Sequence, residues 1–259
     1  MRARSSALKP IKAKGSPTVL LWLRSIAYNL ALYVTAVAIG LAATPALFMP
    51  RGAAVWIIHN LSTLAIWLLR VIAGTRYEIR GRLPEGGVLI AAKHQSMWDT
   101  IAMPAILKDP AIVLKAELLW IPYYGWFSKK ADMIGIDRGA GAKAVRHLIQ
   151  QGKAALALKR PIVIFPEGTR AAPGARLDYK PGVAALYRQL GVPCVPVAVN
   201  SGLFWPRRKF LRRPGTIVVE FLEPIPPGLD RETFMATLSE RIEMATDRLL
   251  AEAGHPVDK

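Results

Sequence analysis

The sequence predicts an α/β fold, a mixed sheet with flanking helices, preceded by an N-terminal hydrophobic two-helix membrane segment. Three observations carry this expectation. Two long uncharged stretches lie near the start of the chain, and short Val- and Ile-rich runs bounded by Gly or Pro follow them. Between those runs, apolar residues recur at helical spacing.

The first region, residues 1–17 (MRARSSALKPIKAKGSP), carries Arg2, Arg4, Lys9, Lys12 and Lys14 with no acid and reads as a basic flexible tail. The second, residues 18–73, holds the uncharged stretches, 25–49 and 52–69, on either side of Pro50 and Arg51. At about 1.5 Å per residue each comes near the ~30 Å hydrocarbon core of a bilayer. Pro50-Arg51 reads as a tight connector, which makes the pair a helical hairpin that crosses twice or dips into one leaflet. Both ends then emerge on one side, and the Lys and Arg flanking the pair place that side in the cytoplasm. A cleavable signal peptide is disfavoured by the length of the apolar region. Two buried core helices are the other alternative, because the second stretch is at the short edge of the spanning range.

From residue 74 to 259 the pattern becomes that of an α/β domain. "YEIRG", "GVLIAA", "AIVLK", "MIGID", "PIVIF", "VPCVPVAV" and "TIVVEFL" are strand candidates. Val145, Leu148, Ile149 and Leu156 mark one amphipathic helix, and Phe234, Leu238, Ile242, Ala245 and Leu249 mark another. Such alternation argues for a largely buried sheet.

Composition narrows the partners. The 259 residues include 35 Lys and Arg against 18 Asp and Glu, a formal charge of +17 in a chain that is 52% hydrophobic. That combination points to an anionic membrane surface. No zinc-finger, KH or RRM signature is present, so nucleic acid is not an expected partner. The one cysteine, Cys194, leaves no internal disulfide and no cysteine-based metal cage, which fits a reducing, cytosol-facing location.

The residues able to carry chemistry begin with "HQSMWD". His94 and Asp99 are five apart, about 500° along an ideal helix, so they do not share a helical face. His94 must sit in the turn that ends a strand, with Asp99 reaching back from the first turn of the next helix. Ser96 and Asp99 alone form a relative of the capping box and need no chemistry. The chemical reading is that Asp99 accepts from one imidazole nitrogen and leaves the other free to take a proton. His59, His147 and His255 show no paired ligand spacing, so no metal is expected. Downstream, "IVIFPEGTR" ends a strand in a loop with Glu167, Gly168, Thr169 and Arg170. There Gly168 permits a tight turn and Arg170 presents a fork of donors suited to phosphate. "IGIDRG" delivers Arg138 at another strand end, and Lys115 leads into the aromatic segment of Trp120, Tyr123, Tyr124 and Trp126. Each cation alone is equally a solvated charge. Together they lie at or past strand ends, where α/β sheets bind ligands.

In this order the motifs resemble the glycerolipid acyltransferase family, most closely its bacterial 1-acyl-sn-glycerol-3-phosphate acyltransferases. The likeness spans about residues 77–226: "HQSMWD" resembles the His-x-x-x-x-Asp block, "IGIDR" the second, "FPEGTR" the third and "VPCVPVAV" the fourth. One departure is Lys93, where many members have Asn. The resemblance implies a His94 general base oriented by Asp99, and direct attack of a lysophospholipid hydroxyl on acyl-CoA or acyl-ACP. No cofactor is implied beyond that thioester co-substrate. It further implies that Arg138, Arg170 and Lys115 hold the acceptor phosphate, while Glu167, Gly168 and Thr169 shape its pocket. The expected partners are lysophosphatidate and an anionic bilayer surface, with "WPRRKFLRRP" as the docking loop through Arg207, Arg208, Lys209, Arg212 and Arg213, and acyl carrier protein as an alternative user of the same patch. A different lysolipid acceptor, such as a lyso-ornithine lipid, stays open. So does a hydrolase using Ser96 or water, although no Gly-x-Ser-x-Gly elbow is present. A non-enzymatic membrane adaptor leaves the ordered blocks unexplained.

Overall fold

The computed structural model describes residues 18–255, and the basic tail expected at 1–17 lies outside the described residues. Helix α1 spans Val19–Ala42. Thr18 caps it, accepting the Leu21 amide at 3.3 Å. The helix takes in Arg24 and stops well before Pro50. Pro45 lies in a short 3-10 segment, Thr44–Phe48, where the chain turns because a proline cannot continue the α-helical ladder. The connector is therefore longer than the Pro50-Arg51 turn expected from the sequence. Helix α2, Arg51–Leu68, continues through a π-type turn, Leu69–Ala73, and ends on left-handed Gly74.

Only one stripe of the hairpin is covered. Ser25, Tyr28, Asn29 and Leu32 recur at helical spacing and are buried, whereas Leu20, Leu23, Leu30, Val34 and Val37 are exposed. Just 28% and 22% of the two apolar windows are buried, which is not the burial of paired core helices. Both helices have the length and composition to cross a membrane.

The α/β part is a mixed sheet in the order β1-β7-β6-β2-β5-β3-β4. Its strands are β1 Thr75–Arg80, β2 Leu89–Ala92, β3 Ala111–Lys115, β4 Ile134–Ile136, β5 Ile162–Ile164, β6 Cys194–Val199 and β7 Gly215–Phe221. Each falls within or across one of the Val- and Ile-rich runs. Among these strands of the described residues, β6 and β7 pair antiparallel and the other pairings are parallel. The remaining helices are α3 Met97–Ile106, α4 Tyr124–Lys130, α5 Gly141–Ala157, α6 Gly182–Leu190 and α7 Arg231–Glu252. Helix α6, with 9 residues, carries its apolar stripe of Val183, Leu186 and Tyr187 over little more than two turns, a brief signal that is not among the helix candidates read from the sequence.

Strand alternation divides the core between the two faces. Leu89 and Ala91 pack with Leu148, Leu186, Phe234 and Leu238 from α5, α6 and α7. Ile90 and Ala92 pack with Trp98 and Met103 of α3 and with Tyr28 and Leu69 of the hairpin. Fully burying one such side chain stabilises by about 1.5–3 kcal/mol. The buried stripe of the hairpin is thus part of the domain core.

Strands β2, β5, β3 and β4 are neighbours and run parallel, so their C-terminal ends meet at one edge. There β2 leads into His94, β5 into Glu167, β3 ends at Lys115, and β4 leads into Arg138.

Candidate active site

His94 sits in the turn between β2 and α3, its side chain 13% exposed. Its Nδ1 lies 2.9 Å from Asp99 Oδ2. The same oxygen accepts the Gln95 and Ser96 amides, both at 2.8 Å. Asp99 as a carboxylate can only accept, so the proton of the neutral imidazole resides on Nδ1 and Nε2 is left basic. Phe165 stacks on the ring at 4.2 Å between centroids and restricts its rotation. Ser96 is buried at the start of α3 and its Oγ accepts the Trp98 amide at 3.0 Å. That hydroxyl is a helix cap, and no hydrogen bond joins it to His94 among the described residues.

The loop after β5 holds the backbone of His94 from both sides. Glu167 Oε2 accepts the His94 amide at 3.0 Å, and the Ala171 amide donates to the His94 carbonyl at 2.7 Å. Glu167 is 1% exposed, and burial raises its carboxyl above the ordinary carboxylate range. Lys93 Nζ, 2.8 Å from Glu167 Oε1, counters that effect. Sequence reasoning placed Glu167 at the wall of a phosphate pocket. In the structure its oxygens face Lys93 and the His94 amide.

The cations converge more closely than their separation in the chain suggests. Gly168 adopts φ +67°, where a side chain would be strained, and a Cβ there would lie 3.3 Å from Lys180 Cγ and 3.9 Å from Arg138 Cζ. Arg138 and Lys180 therefore flank the Gly168 turn. Lys180 was missed by sequence reasoning. It is brought here by tertiary structure, its amide donating to the Pro166 carbonyl at 2.7 Å. Arg170 is half-buried and its carbonyl accepts from Arg207 Nη1 at 2.7 Å. Thr169 is exposed in the same loop. Lys115 is 50% exposed and 3.5 Å from Glu117, one strand over from the β4 end that leads to Arg138.

Within the loop after β6, Arg212 is not available for the docking role expected of it. Arg212 is buried and donates to Asn29 Oδ1 at 2.9 Å and to the carbonyls of Lys209 and Phe210. Its guanidinium stacks over Trp205 at 4.2 Å, and burial pulls its pKa down to about 10. Phe210 stacks on Trp22 of α1 at 5.7 Å. Arg212 is therefore a clamp between this loop and the hairpin, and Arg207 belongs to the rim of the site. Arg208, Lys209 and Arg213 remain exposed.

An acyltransferase family model matches residues 74–200, which include the His94 turn, both arginine-bearing loops and β6. The chain is 36% identical over 199 residues to a 1-acyl-sn-glycerol-3-phosphate acyltransferase of Pseudomonas aeruginosa, covering 76% of this chain and 77% of that protein. The chain belongs to the glycerolipid acyltransferase family. A second relative, the human 1-acyl-sn-glycerol-3-phosphate acyltransferase alpha, is 30% identical over 176 residues, 65% of this chain and 62% of its own length. The crystal structure of the 1-acyl-sn-glycerophosphate (LPA) acyltransferase of Thermotoga maritima superposes with a TM-score of 0.76 at 20% identity, covering 91% of this chain and 98% of that one. At that identity the likeness concerns the fold, and it extends beyond the family-model region to most of this acyltransferase chain.

Proposed function

We propose that the protein moves a fatty acyl group from acyl-CoA or acyl-ACP to the sn-2 hydroxyl of 1-acyl-glycerol-3-phosphate, giving phosphatidate at a membrane surface. One observation carries the reading: a histidine with its Nδ1 proton held by Asp99 at 2.9 Å shares a sheet edge with Arg138, Lys180 and Arg170. A base beside several cations suits a hydroxyl acceptor that bears a phosphate.

In the proposed step, His94 Nε2 removes the proton of the acceptor hydroxyl as its oxygen attacks the thioester carbonyl. A C–O bond forms, the tetrahedral intermediate collapses, the C–S bond breaks, and the proton on Nε2 passes to the departing thiolate. Asp99 stabilises the transient imidazolium from the Nδ1 side. Arg138 and Arg170, with Lys115 and Lys180, hold the acceptor phosphate, and Gly168 and Thr169 line its approach. Glu167 acts by holding the His94 backbone. The exposed apolar side of the hairpin lies in lipid, at the inner membrane with the catalytic domain on the cytoplasmic side. Arg208, Lys209 and Arg213 meet anionic headgroups or an acidic acyl carrier protein.

The deciding experiment follows thiol release from acyl-CoA in detergent with a panel of lysolipid acceptors. Release that depends on lysophosphatidate and yields phosphatidate supports the reading. Preference for a lyso-ornithine lipid replaces the acceptor, and release without any acceptor identifies a hydrolase.

A further inference from the structure

Beside His94 lies a buried charge cluster of which the acyl-transfer reading uses only Glu167. Lys93 is 1% exposed, yet its ammonium is surrounded by oxygen. Glu243 Oε1 and Oε2 accept from Nζ at 2.7 and 2.8 Å, the Ala175 carbonyl accepts at 3.2 Å, and Glu167 Oε1 is 2.8 Å away. Glu243 is contributed by α7, where it is 5% exposed, and its Oε1 also accepts from the Tyr179 hydroxyl at 3.0 Å. The donors of Lys93 are thus directed at Glu243 and Ala175. Glu167 receives the ammonium charge without a directed hydrogen bond.

The chain of contacts ends on the base. Lys93 precedes His94 in sequence, and Glu167, which faces Lys93 with one oxygen, holds the His94 amide with the other. A buried carboxylate with no counter-charge is strongly disfavoured, and removing one partner of a buried ion cluster leaves the other exposed to that cost. We propose that Lys93 is a positioning residue for His94: kept in place by Glu243 of α7, it supplies the counter-charge for the Glu167 carboxylate that holds the His94 amide. The C-terminal helix is thereby coupled to the general base. This rests on the reading of His94 as the base of acyl transfer.

Charge counting predicts an asymmetric response. Lys93→Asn leaves two buried carboxylates with no cation. Glu243→Gln leaves one ammonium facing one carboxylate, and the double variant leaves Glu167 as the single charge. In kinetics on the purified full-length protein, Lys93→Asn is expected to lower kcat by about tenfold or more with KM for lysophosphatidate within about threefold. Glu243→Gln is expected to lower kcat by only about threefold, and adding it to Lys93→Asn is expected to recover at least about threefold, a coupling that independent sites do not show.

The independent readout is the imidazole itself. In ¹⁵N-histidine spectra, with His94 assigned by difference against His94→Ala, the wild type is expected to show the Nδ1–H form. Lys93→Asn is expected to show a mixture of tautomers, and the double variant a return toward Nδ1–H. Wild-type kcat and tautomer in Lys93→Asn overturn the proposal, as does a double variant no more active than Lys93→Asn. If Lys93→Asn does not fold, Glu243→Gln decides alone: its side chain borders a surface cleft beside Ser239 and Met244, where the amide can meet water. Unchanged kcat together with an unchanged tautomer then overturns the proposal. A wild-type protein that transfers nothing to lysophosphatidate defeats the acyl-transfer reading, while the tautomer series still decides the role of Lys93.

Discussion

Asp99 Oδ2 lies 2.9 Å from His94 Nδ1 and also accepts the Gln95 and Ser96 amides at 2.8 Å. One oxygen both caps α3 and orients the His94 imidazole, so the five-residue spacing is a turn followed by the first turn of a helix. Asp99→Asn is expected to lower kcat by about 10²- to 10⁴-fold, because an amide can favour the wrong imidazole tautomer. His94→Ala is expected in the same range. The double variant is expected to be no worse than the poorer single, since the pair acts as a unit. Steady-state acyl transfer by protein of verified fold checks all three.

The cations around Gly168 are expected to act on acceptor binding. A charge-assisted hydrogen bond contributes about 1.5–3 kcal/mol, so Arg138→Ala, Arg170→Ala or Lys180→Ala each raises KM for lysophosphatidate by about 10- to 100-fold with little change in kcat. KM and kcat measured for each variant against lysophosphatidate test this. An equal fall in kcat would place the residue in the transition state.

Gly168→Ala brings two independent penalties. At φ +67° an L-residue costs about 1–2 kcal/mol, and the new methyl group meets Lys180 Cγ at 3.3 Å. A lower Tm together with a higher KM for lysophosphatidate is the expected outcome. A lower Tm alone would show that the Lys180 side chain moves aside freely.

The loop after β6 separates into two groups of arginine and lysine. Neutralising exposed Arg208, Lys209 and Arg213 is expected to weaken binding to phosphatidylglycerol-containing vesicles by about 1 kcal/mol per cation, with Tm unchanged. Arg212→Ala removes the hydrogen bonds to Asn29 and the backbone and the stacking on Trp205. It is expected to lower Tm. Vesicle sedimentation beside thermal melts distinguishes the two effects.

Asp230 caps α7, accepting the Glu232 and Thr233 amides at 2.9 and 3.0 Å and the Thr233 hydroxyl at 2.6 Å. The bonds to Thr233 hold its carboxyl below the ordinary value of 3.8. A depressed carboxylate contributes stability that is present above its unfolded pKa and is lost as pH falls through the folded one. The Tm difference between wild type and Asp230→Ala is therefore expected at neutral pH and narrows below 3.8. Melts across that range check the sign.

Local patterns in the chain carried much of this architecture. Val- and Ile-rich runs such as "AIVLK" became β3 because β-branched residues suit a sheet covered on both faces. The apolar stretches became helices because their length and lack of charge permit little else. Helix α6 and the long connector at Thr44–Phe48 were less legible. The first shows its apolar stripe of Val183, Leu186 and Tyr187 over little more than two turns, and in the second one proline outweighs the apolar residues around it.

What the sequence determined by itself was the order of the family motifs, the His94–Asp99 spacing and the predominance of basic residues, since all three are local or additive properties. Tertiary structure decided which charges face outward and which are buried. Glu167 and Arg170 are neighbours in one loop, yet Glu167 is buried against Lys93 and the His94 amide while Arg170 lies half-exposed at the rim. Likewise Arg212 is a clamp where Arg213 is solvated. Burial and pairing depend on partners brought from distant segments, here Glu243 of α7 and Asn29 of α1. No spacing rule along the chain can specify a counter-charge that arrives only when the sheet and its helices have packed.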